Sequence, residues 1–305
     1  MRKRAWSLVP LLLVLALVAT ACGDNDNKEE TTGQTGGPAV STTALPTFAA
    51  GTTMATLQQK GKIVVGTKFD QPGLGLKNPT TGKVEGFDVE IAKLIAVGIF
   101  GGTRDNVESK IEFKESTTPN REAFIENGTV DIVVATYTIN DTRKQRVDFA
   151  GPYYIAGQDI MVKANDNSIK GVNDLNGKKV CSVRNSTPAA NIRAKAPQAD
   201  LTEFDQYSDC VEAMRDGRVQ AVSTDNSILL GFVDRNKGEF KLVGNRFTDE
   251  PYGIGLKKGD TAFRNFINDR LDAIYRSGEW AKAFNDTLGK LGLQAPTPPP
   301  VDRYA

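Results

Sequence analysis

The stretch that decides the fold is Asp131–Phe149, DIVVATYTINDTRKQRVDF. Its apolar run, Ile132–Val134, predicts a buried strand, and Thr136 and Thr138 follow where that strand ends. Arg143 comes after a turn signal, about one helical turn further on. In open α/β sheets small ligands bind at the carboxyl ends of the strands, and a guanidinium suits a carboxylate because it donates two parallel hydrogen bonds. The stretch therefore indicates either an anion-binding strand end or a strand followed by a solvated basic turn.

The composition limits the classes of function. The chain has 305 residues, of which 39% are hydrophobic, and this suffices for one large core or two modest ones. A formal net charge of +1 argues against nucleic acid as a partner, since nucleic-acid binding usually requires a basic surface. The chain contains no histidine, which excludes a Ser-His-Asp triad and a histidine-based zinc site. No catalytic residue, metal or cofactor is therefore expected, although carboxylate or lysine chemistry stays open.

The N-terminus predicts export. Residues 1–21 have a basic start and an apolar run, Leu8–Ala19, which is typical of a secretory signal peptide and short for a membrane span. The small residues before Cys22 resemble the lipobox of bacterial lipoproteins, in which the cysteine is lipidated, palmitate included, and becomes the mature N-terminus. Ordinary signal cleavage near Ala21 is the alternative. Residues 22–55 are expected to be the lipidated cysteine and a flexible tether, because much of this segment is too polar to bury.

Export also bears on the remaining cysteines. If Cys22 carries lipid, Cys181 and Cys210 form an even pair, and in an exported protein such a pair predicts a disulfide bond. Closing a loop of about 30 residues stabilises a fold by roughly 3–4 kcal/mol in the chain-entropy model. Two separate buried thiols are the alternative.

Two successive βαβαβ patterns follow the tether. The first covers 62–135 and includes the helical apolar spacing of Phe87–Ala96, and the second covers 160–223. This order predicts parallel strands with right-handed crossovers. In the second pattern Thr187 is a candidate N-cap of a helix and Pro188 suits its first turn.

Four motifs carry a resemblance to a known family. They are GxDVEIAKLIA (86–96), NRxxFIENGTVDI (120–132), TYTINDTRKQRVDFAGPYY (136–154) and GEWAKAF (278–284). Together they resemble the polar amino-acid-binding proteins of ABC importers, solute-binding protein family 3, and especially its glutamate/aspartate-binding lipoproteins. The resemblance implies a type II periplasmic-binding-protein fold, which is α/β with two Rossmann-like lobes joined by two crossing strands.

The fold implied by the resemblance divides the chain. The first lobe is expected at 56–155 plus 248–291 and the second at 156–247, with the ligand in the cleft between them. Closure around the ligand would be a hinge motion. Residues 292–305 are expected to be a Pro-rich, extended tail.

The resemblance also assigns residues to the ligand backbone. Arg143 matches the arginine that clamps the α-carboxylate, and Thr138 and Thr187 match further carboxylate donors. Thr136 and Asp225 match the groups that receive the α-ammonium. For Thr187 and Asp225, helix capping is the alternative.

Side-chain selectivity is expected from a second set. Lys68 stands where glutamine-binding relatives have an Asp and glutamate/aspartate-binding relatives an Arg, so it favours a carboxylate. An amide there would lack its acceptor, at a cost of about 1–3 kcal/mol. Thr118 and Arg121 match groups that reach an acidic side chain, and Tyr137 belongs to the same expected site. A solvated Lys68 and an exposed Arg121 are the alternative, and Arg184 is left unassigned.

The sequence thus predicts an exported protein, anchored by lipid to the outer face of the cytoplasmic membrane, that binds L-glutamate and delivers it to the permease of an ABC importer. It would act as a monomer and perform no chemistry. Aspartate, glutamine and asparagine are alternative ligands. A dehydratase or a sensory domain on the same fold are rival functions. The dehydratase is disfavoured because the resemblance assigns Asp225 and Lys68 to binding, and the sensor because no kinase or spanning helix follows Leu291.

Overall fold

The computed structural model describes residues 45–304, so the predicted signal peptide, the lipidation of Cys22 and most of the tether lie outside the described residues. The helices, in chain order, are α1 (Thr53–Lys60), α2 (Phe87–Phe100), α3 (Arg121–Glu126), α4 (Asp141–Lys144), α5 (Thr187–Lys195), α6 (Tyr207–Arg215), α7 (Asn226–Arg235), α8 (Thr261–Arg276) and α9 (Glu279–Asp286). Short 3-10 helices lie at Val107–Lys110, Thr118–Asn120, Val172–Leu175 and Leu288–Leu291. The strands are β1 (Ile63–Thr67), β2 (Asp70–Gln71), β3 (Gly75–Lys77), β4 (Val84–Glu85), β5 (Ile111–Glu115), β6 (Ile132–Val133), β7 (Asp148–Ala156), β8 (Gln158–Lys163), β9 (Lys179–Val183), β10 (Asp200–Phe204), β11 (Ala221–Asp225), β12 (Phe240–Leu242) and β13 (Glu250–Leu256).

Ten of these strands form two five-stranded sheets, in the orders β5-β1-β6-β13-β7 and β10-β9-β11-β8-β12, and β2, β3 and β4 form a small three-stranded sheet. We call the parts built on the two five-stranded sheets the first and the second lobe. In each five-stranded sheet three neighbouring strands are parallel, as the βαβαβ patterns predict, and one strand, β13 or β8, is antiparallel to both of its neighbours. The antiparallel strands arise because the chain crosses between the sheets at β7–β8 and at β12–β13 without a helical crossover. The expected α/β fold of two Rossmann-like lobes joined by two crossing strands is therefore present.

The first lobe is centred on α2. Apolar residues surround this helix on most faces because it packs against β1, α8 and α9. Gly86 caps its N-terminus with φ 132°, and a Cβ there would collide with the backbone of Leu74, so the position requires glycine. Trp280 of α9 is fully buried beside α2, and its indole N–H donates to the carbonyl of Tyr153 at 2.8 Å.

The second lobe contains the predicted disulfide. Cys181 of β9 and Cys210 of α6 are bonded, with their Cα atoms 5.5 Å apart, and both residues are fully buried. The bond fixes α6 onto the sheet, and the alternative of two separate thiols is excluded.

The two lobes are in direct contact. The Asp70 carboxylate of the first lobe accepts hydrogen bonds from the backbone N–H groups of Tyr207 and Ser208, at 3.1 and 3.2 Å, at the start of α6. A carboxylate at a helix N-terminus also interacts favourably with the helix dipole. On α7, Gly231 lies so close to Pro72 that a Cβ would collide with the Pro72 carbonyl oxygen. The lobes are therefore held together at close range.

The C-terminal tail packs against the first lobe. Beyond the 3-10 turn at Leu288–Leu291 its described residues have no regular secondary structure. The Tyr304 hydroxyl accepts a hydrogen bond from the N–H of Phe149 at 2.8 Å, and the Asp302 N–H donates to the carbonyl of Gly151 at 2.7 Å. Because β7 is the edge strand of its sheet, the tail covers part of an otherwise open edge.

Candidate functional site

The candidate site is a cavity between the lobes, at the carboxyl ends of β6 and β11 and the start of α5. It brings together the predicted ligand-binding residues except Lys68 and Tyr137, which lie behind its lining. Sequence analysis did not single out Ser186, Tyr207 or Thr224, although the polar pair Thr224–Asp225 at a strand end was an available signal. The lining residues are Thr118, Arg121, Thr136, Thr138, Arg143, Ser186, Thr187, Pro188, Tyr207, Thr224, Asp225 and Ile228.

Arg143 bridges the two lobes. It lies in α4, whose N-cap Asn140 accepts a hydrogen bond from the Arg143 backbone N–H at 2.9 Å. Its Nη1 donates to the carbonyl of Thr138 at 2.6 Å and its Nη2 to the carbonyl of Asn185, in the second lobe, at 3.3 Å. The side chain is buried, and desolvation, with the nearby charge of Arg121, lowers its pKa to about 10. Arg143 is therefore a fixed cation at neutral pH, not part of a solvated basic turn.

Tyr137 supports two arginines from behind. Its ring is fully buried, with the guanidinium carbon of Arg121 at 4.2 Å and that of Arg143 at 5.0 Å from the ring centroid. Arg121 also donates through Nη1 to the carbonyls of Ala135 and Thr136, at 3.0 and 3.2 Å. Cation–π contacts of this kind are stronger when desolvated. Tyr137 thus positions the cations, and the alternative of an exposed Arg121 is excluded.

Lys68 directly follows β1 and is buried, so the alternative of a solvated lysine is excluded. Its Nζ donates to the Thr118 hydroxyl oxygen at 2.9 Å. Desolvation, followed by the charge of Arg121, lowers the pKa of Lys68 well below its usual value. Because the lysine uses the hydroxyl oxygen as acceptor, the hydroxyl hydrogen of Thr118 remains to be donated into the cavity.

Thr136 has an unusual backbone. Its φ is 46°, a left-handed conformation that is rare and strained for a β-branched residue. The Thr136 N–H donates to Asp88 at 2.8 Å, and its hydroxyl donates to the Gln71 side chain at 3.2 Å. Asp88 also accepts from the Tyr153 hydroxyl at 2.7 Å, and burial raises its pKa to about 6. These bonds hold the Thr136 carbonyl at the cavity wall, beside Arg121.

Asp225 has one free carboxylate oxygen. It is the N-cap residue of α7 but its side chain makes no cap hydrogen bond, so capping does not account for it. Oδ2 accepts from the Tyr252 hydroxyl at 2.6 Å, whereas Oδ1 has no partner among the described residues. Burial, followed by the charge of Glu250, raises the pKa of Asp225 to about 8. An acceptor oxygen is thus available in the cavity wall.

Thr187 is not the N-cap of α5, which corrects the sequence prediction. Ser186 is the N-cap, with its hydroxyl accepting from the Ala189 N–H at 3.0 Å, so Pro188 occupies the second helical position. Two adjacent hydroxyl residues lie at the start of the helix, and the extended backbone of Ser186 makes it, and not Thr187, the N-cap. As the first helical residue, Thr187 has a backbone N–H without a partner inside the helix.

Glu250 is the main site residue that sequence reasoning missed. It begins β13 and is 2% exposed. Its Oε2 accepts from the hydroxyls of Thr138 and Thr187, at 2.8 and 2.7 Å. Its Oε1 accepts from Thr248 at 3.0 Å and from the Asn191 amide at 3.2 Å. A single glutamate at the start of a strand belongs to no recognised motif, so no local signal indicated its role.

Arg184, which the sequence left unassigned, does not line the cavity. Its side chain is exposed, pairs with Asp205 and faces an outer groove. Residues 45–304 contain no cluster of acidic or cysteine side chains arranged to hold a metal. Within the same range, none of the helices is both long and apolar enough to span a bilayer.

Comparison with known proteins gives consistent matches. Residues 63–290 match the family described as bacterial extracellular solute-binding proteins, family 3. The ABC transporter glutamine-binding protein GlnH of Bacillus subtilis is 38% identical over 283 residues, 92% of this chain and 96% of that protein. The glutamate-binding protein GluB of Corynebacterium glutamicum is 41% identical over 238 residues, 76% of this chain and 80% of that protein. The solved structure of an ancestral arginine-binding protein bound to glutamine is 36% identical, with a TM-score of 0.69, and the match covers 75% of this chain and 98% of that one.

Proposed function

The chain belongs to the bacterial extracellular solute-binding proteins of family 3, and from this premise we propose that it binds a polar amino acid between its lobes and delivers it to the permease of an ABC importer. The names of its relatives support this class, since GlnH is an ABC transporter glutamine-binding protein and GluB a glutamate-binding protein. Binding and release need no catalytic group, so the protein would perform no chemistry itself.

The proposed ligand is L-glutamate, and the charge around the cavity carries this choice. Three buried cations, Lys68, Arg121 and Arg143, lie in or directly behind the lining. Among the described lining residues Asp225 is the only acid, and three acids behind the lining already have partners in it: Glu122 pairs with Arg143, Asp88 accepts from Thr136, and Glu250 accepts from Thr138 and Thr187. Glutamate brings two carboxylates and one ammonium, which complements this arrangement. Buried charges require such pairing because an uncompensated one is costly.

Each group of the ligand has a proposed partner. Arg143 would hold the α-carboxylate, since its two bonds to carbonyls and the ion pair of its Nε with Glu122 at 3.5 Å leave part of its five N–H donors unused. The Thr187 N–H, at the start of α5, would be a second donor. The free oxygen of Asp225 and the Thr136 carbonyl would receive the ammonium. Arg121 and the Thr118 hydroxyl, with Lys68 behind it, would take the side-chain carboxylate.

The organisation of the whole chain is part of the same proposal. The first lobe would comprise 56–155 plus 248–291 and the second 156–247, with hinge motion at the two crossings. Lipid on Cys22 would anchor the protein to the outer face of the cytoplasmic membrane. A monomer suffices, because the site is built from one chain.

Glutamine is the second candidate ligand. The observation in its favour is the similarity to GlnH over 92% of this chain. Lys68 decides between the two, because its ammonium and the Thr118 hydroxyl both favour an acceptor oxygen over an amide N–H.

Titration calorimetry tests the proposal. The oxidised protein, without residues 1–23, would be titrated with glutamate, aspartate, glutamine, asparagine and an unrelated sugar. We expect glutamate to bind most tightly, with a Kd of about 1 μM or below. Tighter binding of glutamine would keep the class of function and overturn the ligand. No heat with any of the four amino acids would overturn the class.

A further inference from the structure

Glu250 is a buried acid that bonds to residues of the cavity lining and has none of the binding roles above. Glu250 accepts four hydrogen bonds, and the two to Oε2 come from opposite lobes, from Thr138 in the first and Thr187 in the second. Both threonines line the cavity, whereas Glu250 does not. Glu250 can therefore act on a ligand through these hydroxyls, besides the effect of its charge on Asp225.

The direction in which the Thr138 and Thr187 hydroxyls donate determines which ligand groups they can bind. An ionised carboxylate only accepts, and a hydroxyl carries one hydrogen. Thr138 and Thr187 therefore both give their hydrogens to Glu250, at 2.8 and 2.7 Å. Their oxygens lie 3.4 Å apart. Towards the cavity they offer lone pairs alone, so neither hydroxyl can donate to a ligand carboxylate while Glu250 is ionised.

We propose that Glu250 is a positioning residue that sets the hydrogen-bond polarity of the cavity. By taking the hydrogens of Thr138 and Thr187 it makes both hydroxyls acceptors, and it thereby selects a ligand that presents a donor, the ammonium of an α-amino acid, where the lobes meet. This inference rests on the proposed function. It also replaces the expectation that the two hydroxyls donate to the α-carboxylate, which leaves that task to Arg143 and the Thr187 N–H.

The arrangement is complete only when the lobes are in contact. Glu250 begins one of the two crossing strands, and its partners lie on both sides of the cleft. Asn191, one turn along α5 from Thr187, adds a further bond from the second lobe. Closure of the lobes thus brings the Thr187 hydroxyl and the Asn191 amide into hydrogen-bonding distance of Glu250.

Glu250→Gln should reverse the polarity. The amide has one acceptor oxygen and one donor NH2. If the oxygen faced the threonines, the NH2 would face the Asn191 amide, which donates to Glu250 and to Gln158 in the native protein, whereas the Thr248 hydroxyl can donate or accept and fits either orientation. The NH2 therefore turns to the threonines, whose hydrogens then point into the cavity.

The experiment compares how much E250Q weakens the binding of two ligands, glutamate and 2-hydroxyglutarate. We expect E250Q to weaken glutamate binding about 10- to 100-fold, the effect of losing a hydrogen bond to a charged group. 2-Hydroxyglutarate, whose hydroxyl can also accept, should lose less than about 3-fold, which is close to the usual error of additivity. Equal losses for both ligands, or none, would overturn the proposal. Glu239→Gln, at an exposed carboxylate paired with Arg215, is the matched control and should change neither Kd.

A mutant cycle separates positioning from mere stability. If Glu250 acts through Thr138 and Thr187, T138V/T187V and the triple variant E250Q/T138V/T187V should bind glutamate equally, within about 3-fold, whereas independent effects would multiply. T187S retains the hydroxyl and should bind more tightly than T187V, which keeps the idea testable even if E250Q fails to fold. If the wild-type protein binds no amino acid, the proposed function fails; if it binds and the effects multiply, only the role of Glu250 fails.

Discussion

Tyr252 donates its hydroxyl hydrogen to Asp225 Oδ2 at 2.6 Å, while Asp225 Oδ1 faces the cavity region without a partner among the described residues. The carboxyl group is thus buried, and only one of its two oxygens has a hydrogen-bond partner among the described residues. Its pKa of about 8, raised by burial and then by Glu250, means that it is mostly protonated at pH 7 before a ligand arrives. A ligand ammonium beside Oδ1 would favour the ionised form.

Ligand binding should therefore release a proton. The free protein holds more protons than the complex below the raised pKa of about 8, so the affinity should increase with pH up to that value and then level off. Below this pKa, the ligand affinity can increase by up to a factor of about 10 for each unit of pH. Calorimetry at pH 7 in two buffers of different ionisation enthalpy measures the release. Heats independent of the buffer would contradict it, and Asp225→Asn should abolish the buffer dependence.

Arg143→Ala should remove the main carboxylate donor and the bridge from the Thr138 carbonyl to the Asn185 carbonyl. Losing two charge-assisted hydrogen bonds predicts a loss of about 100-fold or more in glutamate affinity. Arg146→Ala is the matched control, because that side chain is 52% exposed and pairs with Glu126 on the surface. A similar loss in both variants would show that general positive charge, and not the geometry of Arg143, binds the ligand.

Lys68→Met should change selectivity more than stability, since it keeps the length of a buried side chain and removes its charge. Without the ammonium, the Thr118 hydroxyl is no longer oriented, and the preference for glutamate over glutamine should fall about 10-fold, close to 1.4 kcal/mol. Lys68→Asp should favour glutamine further. Competition binding gives the ratio directly. Lys60→Met, at a side chain 48% exposed, should leave it unchanged.

Replacing both Cys181 and Cys210 by Ala should lower stability and spare binding. The disulfide closes a separation of 29 residues, for which the chain-entropy model gives about 3–4 kcal/mol. Urea unfolding measures the loss. Because neither cysteine lines the cavity, the glutamate affinity of the folded variant should match the wild type. A large loss of affinity with little loss of stability would place the disulfide in the binding function instead.

Features with a strong local signal could be predicted from the sequence. β9, at Lys179–Val183, lies within the second βαβαβ pattern that the sequence predicts, and four of its five residues are buried. The disulfide followed from counting cysteines in an exported chain. β10, at Asp200–Phe204, was missed because none of its residues is buried and three of its five residues are polar. Only its pairing with β9 makes it a strand.

The site shows the same division. Arg143 and Asp225, which the family resemblance assigned to the ligand, both line the cavity. The direction in which a hydroxyl donates could not be predicted, because it depends on Glu250, more than 60 residues from Thr187 in sequence. The burial of Lys68 likewise depends on how the segments around it pack together.

Gly231 has a consequence for engineering. In α7 a glycine costs about 1 kcal/mol of helix stability relative to alanine. Here it lets the Pro72 carbonyl approach the helix axis more closely than any side chain would allow. A valine side chain at this position would collide with Pro72. Each lobe would keep its own core, but the two lobes could not close fully on each other. Such a protein would stay in an open conformation. Its affinity for the ligand would then report the binding residues of one lobe alone.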